Sequence, residues 1–317
     1  MNSLQKPSLK HWARIDESTF VLGIRLLFWI CKTFGRWPFR LFLYPVIVWY
    51  VATKPVARQS SRNYLQKLSS FRNEKSGQPG FREVFRHFFA FGESILDKIL
   101  IWSGHYSFDK VILYGNEPLN DYIDQGKGCL LICSHLGNLE LCKAMSRLKP
   151  DLKVTMLVHT RHAEAFNQLL NEYSTESQLN LMQVTEISPA TVLVLMDKIR
   201  NGEFIIIAGD RVPVTSETRT VTASFLGQKA PFPVGPYVLA SLLQCPVYLM
   251  FPIQRHSVAE IHFELFRESI QLPRKNREAL LIELANDFAR RLEQYCLMAP
   301  LQWFNFYPFW QMTYETK

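Results

Sequence analysis

The pattern of apolar and polar positions gives the chain two textures. From about residue 110, short apolar runs alternate with stretches of helical spacing. Val111–Tyr114, Gly128–Ser134, Lys153–His159, Phe204–Ala208, Val247–Ile253 and Ile261–Phe266 read as strands. Helical spacing predicts helices near 138–147, 163–172, 189–200, 235–243 and 275–297. Strand–helix alternation argues for an α/β fold, with a mostly parallel central sheet flanked by helices. A ligand of such a sheet sits at the carboxyl ends of its strands. Upstream, Val84, Phe88, Phe91, Ile95 and Ile99 recur at helical spacing and predict a helix over 82–103. Residues 55–77 are polar and basic, and the run from Asn73 to Gly80 reads as a loop.

The first 58 residues form a separate region, with the α/β domain spanning 59–317. Residues 18–53 are rich in Leu, Phe, Trp and Tyr, but their longest uncharged run is Leu41–Thr53, 13 residues. A spanning helix needs about 20. Two helices, 18–34 and 39–52, joined at Gly35–Pro38, fit a membrane-associated hairpin lying in the interface. A single tilted span, or a pair of helices packed on the body, fits the same pattern. Ala230–Gln254 is also uncharged over 25 residues, but five prolines exclude a membrane helix there. Gln294–Tyr314 is uncharged over 21 residues and holds eight aromatics. With Pro300 and Pro308 it suits a core-lining or interfacial segment.

Charge sharpens this division. The 317 residues carry a net charge of +8, yet residues 1–60 hold nine Lys/Arg against two acids. The remaining 257 positions are nearly neutral, with 27 basic and 26 acidic residues. A nucleic-acid binder carries its basic face on the folded body, so nucleic acid is disfavoured. A basic, apolar foot on a neutral body points to an anionic membrane surface. The six cysteines show no metal-ligand spacing, nor do His159, His162, His256 and His262, so no metal site is expected. Cys129 and Cys133 read as buried small hydrophobes.

The segment Gly128–Glu140 carries the chemistry. An apolar strand runs into Ser134-His135, and Gly137-Asn138 open a helical stretch near Leu139. On one helix, His135 and Glu140 would point about 140° apart. They meet only if His135 lies in the loop and Glu140 in the first turn. Glu140 would then hold one ring nitrogen and leave the other free as a base. A solvated histidine beside a helix-capping glutamate has the same spacing.

His135-Leu136-Gly137-Asn138-Leu139-Glu140 resembles the H-x-x-x-x-D/E motif of the lysophospholipid acyltransferase superfamily, in particular its bacterial lipid A late acyltransferase-like branch. Phe204–Pro213, Phe225–Val247 and the Trp303–Trp310 run WFNFYPFW resemble further blocks of that branch, so the likeness covers essentially the whole chain. The resemblance implies a glycerolipid acyltransferase-like fold. It implies transfer of a fatty acyl group from an acyl thioester to a lipid or glycolipid hydroxyl. His135 would be the general base and Glu140 its orienting partner. Asn138, Asp210, Arg211 and Gly235 would contact substrate, Arg211 as a clamp for a phosphate or the oxyanion unless it serves a salt bridge. Lys229 and Arg219 are further candidate phosphate or carrier contacts. No cofactor is implied, acyl carrier protein or coenzyme A entering as the co-substrate's carrier. The implied location is the cytoplasmic face of a bacterial inner membrane. Val234 stands where glycerolipid acyltransferases carry an acid, which disfavours a glycerol-3-phosphate acceptor. A noncatalytic lipid-binding protein and a thioester hydrolase are the competing functions. The first would consume no thioester, and the second would yield free fatty acid alone.

Overall fold

A computed structural model describes residues 29, 33, 36–73, 78–102, 104–147, 152–158, 179–183, 188–211, 219–255 and 258–311. A seven-stranded sheet forms its centre, with β1 (Val111–Tyr114), β2 (Leu130–Cys133), β3 (Val154–Val158), β4 (Leu179–Gln183), β5 (Phe204–Ala208), β8 (Val247–Arg255) and β9 (Val258–Arg267). The spatial order is β1-β9-β8-β2-β5-β3-β4. Every neighbouring pair is parallel except β8–β9. A separate antiparallel hairpin pairs β6 (Thr220–Phe225) with β7 (Gln228–Pro233).

The central strands are apolar on both sides because helices cover both faces. Leu130, Ile132, Ile205 and Leu249 join one core with α1 (Arg36–Thr53), α2 (Pro55–Phe71), α3 (Phe81–Trp102), α6 (Gly235–Leu243) and α7 (Arg277–Met298). Leu131, Cys133, Phe204, Ile206 and Met250 face the other way. There they meet α4 (Glu117–Asp124) and the 3₁₀ helix Leu139–Arg147. Helix α5 (Pro189–Arg200) precedes β5, capped by Ser188 Oγ, which accepts from the Thr191 N–H at 3.2 Å.

The expected fold class holds. The β6–β7 hairpin, β4, α2 and α4 were outside the expected elements, and the helix expected at 138–147 is 3₁₀ in form. The helix expected at 163–172 lies outside the described residues.

The N-terminal region differs from the expectation at the turn. Residues 36–38, assigned to its turn, are the first turn of α1, where Pro38 costs no hydrogen bond. The helix expected at 18–34 lies almost wholly outside the described residues. The expected boundary at residue 58 falls within α2. Helix α1 packs on α3 through Phe39, Leu43, Ile47 and Val51, one residue per turn. Arg40 grips Glu93 through two nitrogens at 3.0 and 2.7 Å, and Arg36 meets Asp97 at 2.6 Å. The opposite side leaves Trp37, Leu41, Phe42, Val48 and Trp49 exposed, Trp37 by 73% and Trp49 by 61%. Among the described residues no helix is long and apolar enough to cross a membrane.

The uncharged C-terminal stretch is core-lining. Trp303, Phe304 and Phe309 are buried, and Trp303 packs tilted on Tyr64 of α2 and edge-on to Phe225 of β6.

Candidate active site

Two neighbouring strand ends build the site. Cys133 of β2 stands opposite Ala208 of β5 in the parallel register. Each strand continues two residues, one to His135 and the other to Asp210. The Gly209 N–H donates to the Cys133 carbonyl at 2.8 Å, carrying the pairing past the strands. Equal steps from a paired position therefore deliver the imidazole and the carboxylate to one place.

The contact is tight. His135 Nδ1–H donates to Asp210 Oδ1 at 2.8 Å, and the His135 backbone N–H donates to Oδ2 at 2.9 Å. A carboxylate can only accept here, so Nδ1 carries the proton and Nε2 the lone pair. No described residue hydrogen-bonds Nε2, and the ring is 27% exposed. Asp210 is wholly buried, and burial alone would raise its pKa. The attraction of His135 and the hydrogen bonds from His135 and Trp303 outweigh burial and hold the carboxyl below its usual range. Burial, then the charge of Arg211, pushes the His135 pKa down despite Asp210. The pair rests at neutral pH as imidazole and carboxylate.

The loop that holds His135 is fixed from two sides. Gly137 has φ +66°, and a Cβ there would lie 1.7 Å from the Pro252 carbonyl oxygen of β8, so only glycine fits. From the other side, residues 302–304 lie along the loop as a short antiparallel bridge, Leu136 opposite Trp303. The Gly137 N–H donates to the Gln302 carbonyl at 2.8 Å, and the Phe304 N–H to the His135 carbonyl at 2.9 Å.

Glu140 lies in the first turn of the 3₁₀ helix and His135 in the preceding loop, the layout expected from the spacing. Their expected pairing is corrected: among the described residues no hydrogen bond or ion pair joins them. Asp210 already occupies Nδ1, and Glu140, buried, pairs with Lys98 of α3. Asn138 is buried and caps the 3₁₀ helix, its Oδ1 accepting from the Glu140 N–H at 3.2 Å. Its Nδ2 is buried without a partner among the described residues.

Arg211 is exposed beside the pair. It donates to the Phe304 carbonyl at 3.3 Å and lies over the Tyr307 ring, 5.8 Å from its centre, with no acidic partner among the described residues. Gly235 opens α6 with open space over its Cα, and no described contact ties it to His135 or Asp210. Lys229 and Arg219 are exposed on the β6–β7 hairpin and its approach. No cluster of metal-ligating side chains occurs among the described residues. Lys98 and Trp303 are members of the site that spacing did not single out as such. Both come from distant segments, and only strand order and helix packing bring them in.

A comparison with curated proteins finds no match to the chain. The family model described as bacterial lipid A biosynthesis acyltransferase matches residues 82–312, from the start of α3 to just beyond the C-terminal aromatic segment. That span contains Lys98, His135, Glu140, Asp210 and Trp303. The chain belongs to the bacterial lipid A biosynthesis acyltransferase family.

Proposed function

We propose that the chain moves a fatty acyl group from an acyl thioester, on acyl carrier protein or coenzyme A, to a hydroxyl of a lipid or glycolipid. The observation that carries this reading is the His135–Asp210 pair, with Nε2 open at the strand ends of a lipid A acyltransferase family member. His135 Nε2 takes the proton of the acceptor hydroxyl as its oxygen attacks the thioester carbonyl. The tetrahedral adduct collapses, the C–S bond breaks, and the thiolate recovers the proton from Nε2. The products are an ester and a free thiol, and no covalent enzyme intermediate is needed. General-base assistance of this kind is worth roughly 10²–10⁴ in rate. Asp210 replaces Glu140 as the group that orients the imidazole. Arg211 supplies positive charge beside it for the oxyanion or an acceptor phosphate.

The exposed apolar side of α1, with the exposed Lys54 just beyond its end, supports docking on an anionic bilayer at the cytoplasmic face of the inner membrane. The acceptor would then be met in the membrane and the thioester brought from the cytoplasm.

The test is purified protein with an acyl thioester and a lipid acceptor, with thiol release and lipid products followed by mass spectrometry. Ester formation that is lost in His135→Ala supports the reading. Undiminished transfer in that variant overturns it. Free fatty acid alone assigns thioester hydrolysis, and lipid binding without thioester consumption assigns a noncatalytic role.

A further inference from the structure

We infer that Trp303 is a positioning residue for the His135–Asp210 pair, its indole N–H setting how strongly the carboxylate draws on the imidazole. This rests on the reading of His135 as the base.

Trp303 touches the pair from two directions. Its Nε1–H donates to Asp210 Oδ2 at 2.9 Å, the oxygen that also accepts the His135 backbone N–H. Its backbone bridges to Leu136, and the next residue binds the His135 carbonyl. One short segment therefore holds the acid by the Trp303 side chain and the base's loop by the backbone of Gln302 and Phe304 on either side of it. The indole is wholly buried, so neither contact competes with water.

Trp303 is itself held. Its carbonyl accepts from His87 Nε2–H of α3 at 3.0 Å. A carbonyl can only accept, so His87 Nδ1 has the lone pair and accepts a hydrogen bond from the Ser61 hydroxyl of α2, at 2.9 Å. His87 and Ser61 are wholly buried. The chain Ser61–His87–Trp303–Asp210–His135 connects the helices that pack beside α1 to the base.

The aromatic cluster around Trp303 could be filled by phenylalanine, as it is at Phe225 and Phe309. Phenylalanine cannot donate to Asp210. Removing the donor leaves the carboxylate with less of its charge satisfied, so it attracts the imidazolium more strongly and the His135 pKa rises. The other charged groups bearing on the ring are Arg211 and Lys98, both opposing the imidazolium, with Glu140 paired to Lys98. The buried thiols of Cys133 and Cys296 lie near Asp210 and stay protonated.

The experiment is Trp303→Phe in the full chain, with ¹³Cε1-labelled histidines. The His135 signal is assigned by its loss in His135→Gln and titrated by NMR without substrate. The expected result is a His135 midpoint raised by about half a unit to one unit, with the acid limb of kcat/KM moving equally and KM little changed. Phe309→Leu is the control: it loosens the same cluster, lowers the melting temperature and leaves the His135 midpoint in place. An unchanged midpoint in a folded Trp303→Phe, or an equal shift in Phe309→Leu, overturns the inference. Should His135→Ala retain transfer, the functional reading fails while the titration still decides the role of Trp303.

Discussion

Lys98, on α3, holds the carboxylate of Glu140, five residues beyond His135, so the acid of the His-to-Glu spacing faces a cation and not the imidazole. Two acids near one imidazole thus have separable tasks. Asp210→Asn removes the negative charge on Nδ1 and is expected to lower the His135 pKa, moving the acid limb of kcat/KM to lower pH while cutting kcat about a hundredfold or more. Glu140→Gln is expected to leave that limb in place, whatever it does to turnover. Profiles of both variants decide it, with NMR titration of His135 where turnover is too slow.

The wild-type limb itself has a predicted direction. The working form needs Nε2 unprotonated, and burial with Arg211 lowers the His135 pKa from its usual 6.5. Activity is therefore retained below pH 6.5 and lost as the pH falls through the lowered value. A limb above 6.5 would contradict this environment.

Gly137 and Gly126 separate strain from collision. Both have positive φ, but a Cβ at Gly126 meets nothing within 4 Å, whereas one at Gly137 runs into the Pro252 carbonyl. Gly126→Ala is expected to cost about 1 kcal/mol. Gly137→Ala is expected to cost about 3 kcal/mol or more and to abolish activity, because β8 and the His135 loop must part. Urea unfolding of the two variants measures the gap.

Two buried groups give opposite pH slopes. Burial holds the His87 pKa down to about 4 despite its bond to Trp303, so the unfolded chain binds the extra proton between 6.5 and 4. His87 therefore loses stability on acidification, about 3 kcal/mol across that window. Burial raises Asp97 to about 6 from 3.8, so its contribution runs the other way, also about 3 kcal/mol. Between pH 4 and 6 the two offset each other. His87→Leu should gain stability, and Asp97→Asn lose it, more steeply than wild type as the pH falls. Urea midpoints at pH 4.5 and 6.5 test both signs.

The outward side of α1 is expected to control membrane binding. Leu41→Glu with Trp49→Glu should reduce co-sedimentation with anionic vesicles roughly tenfold, without lowering the melting temperature, since both side chains are exposed. Unchanged binding would move the docking surface elsewhere.

Much of the fold was legible because its strands are short, continuous apolar runs and its helices keep their spacing. Residues 189–200, 204–208 and 235–243 form the expected elements to the residue. Strand β7 was hidden by Pro231 and Pro233, which argue against a strand. They are tolerated because β7 pairs on one side only. His135, Asp210 and Arg211 were each visible at strand ends. The partner of His135 was not, because it depends on β5 lying beside β2, the two residues being 75 positions apart in the chain. Spacing along a chain favours the near acid, and sheet order selects the far one.

The C-terminal bridge on the His135 loop also has a consequence for synthesis. A nascent chain that has emerged through α7 contains every strand of the sheet, and with them His135 and Asp210. It still lacks Trp303 and the backbone of 302–304. The His135 loop thus gains its second support only when the ribosome has delivered that late segment, and a product stopped short of residue 302 would lack it.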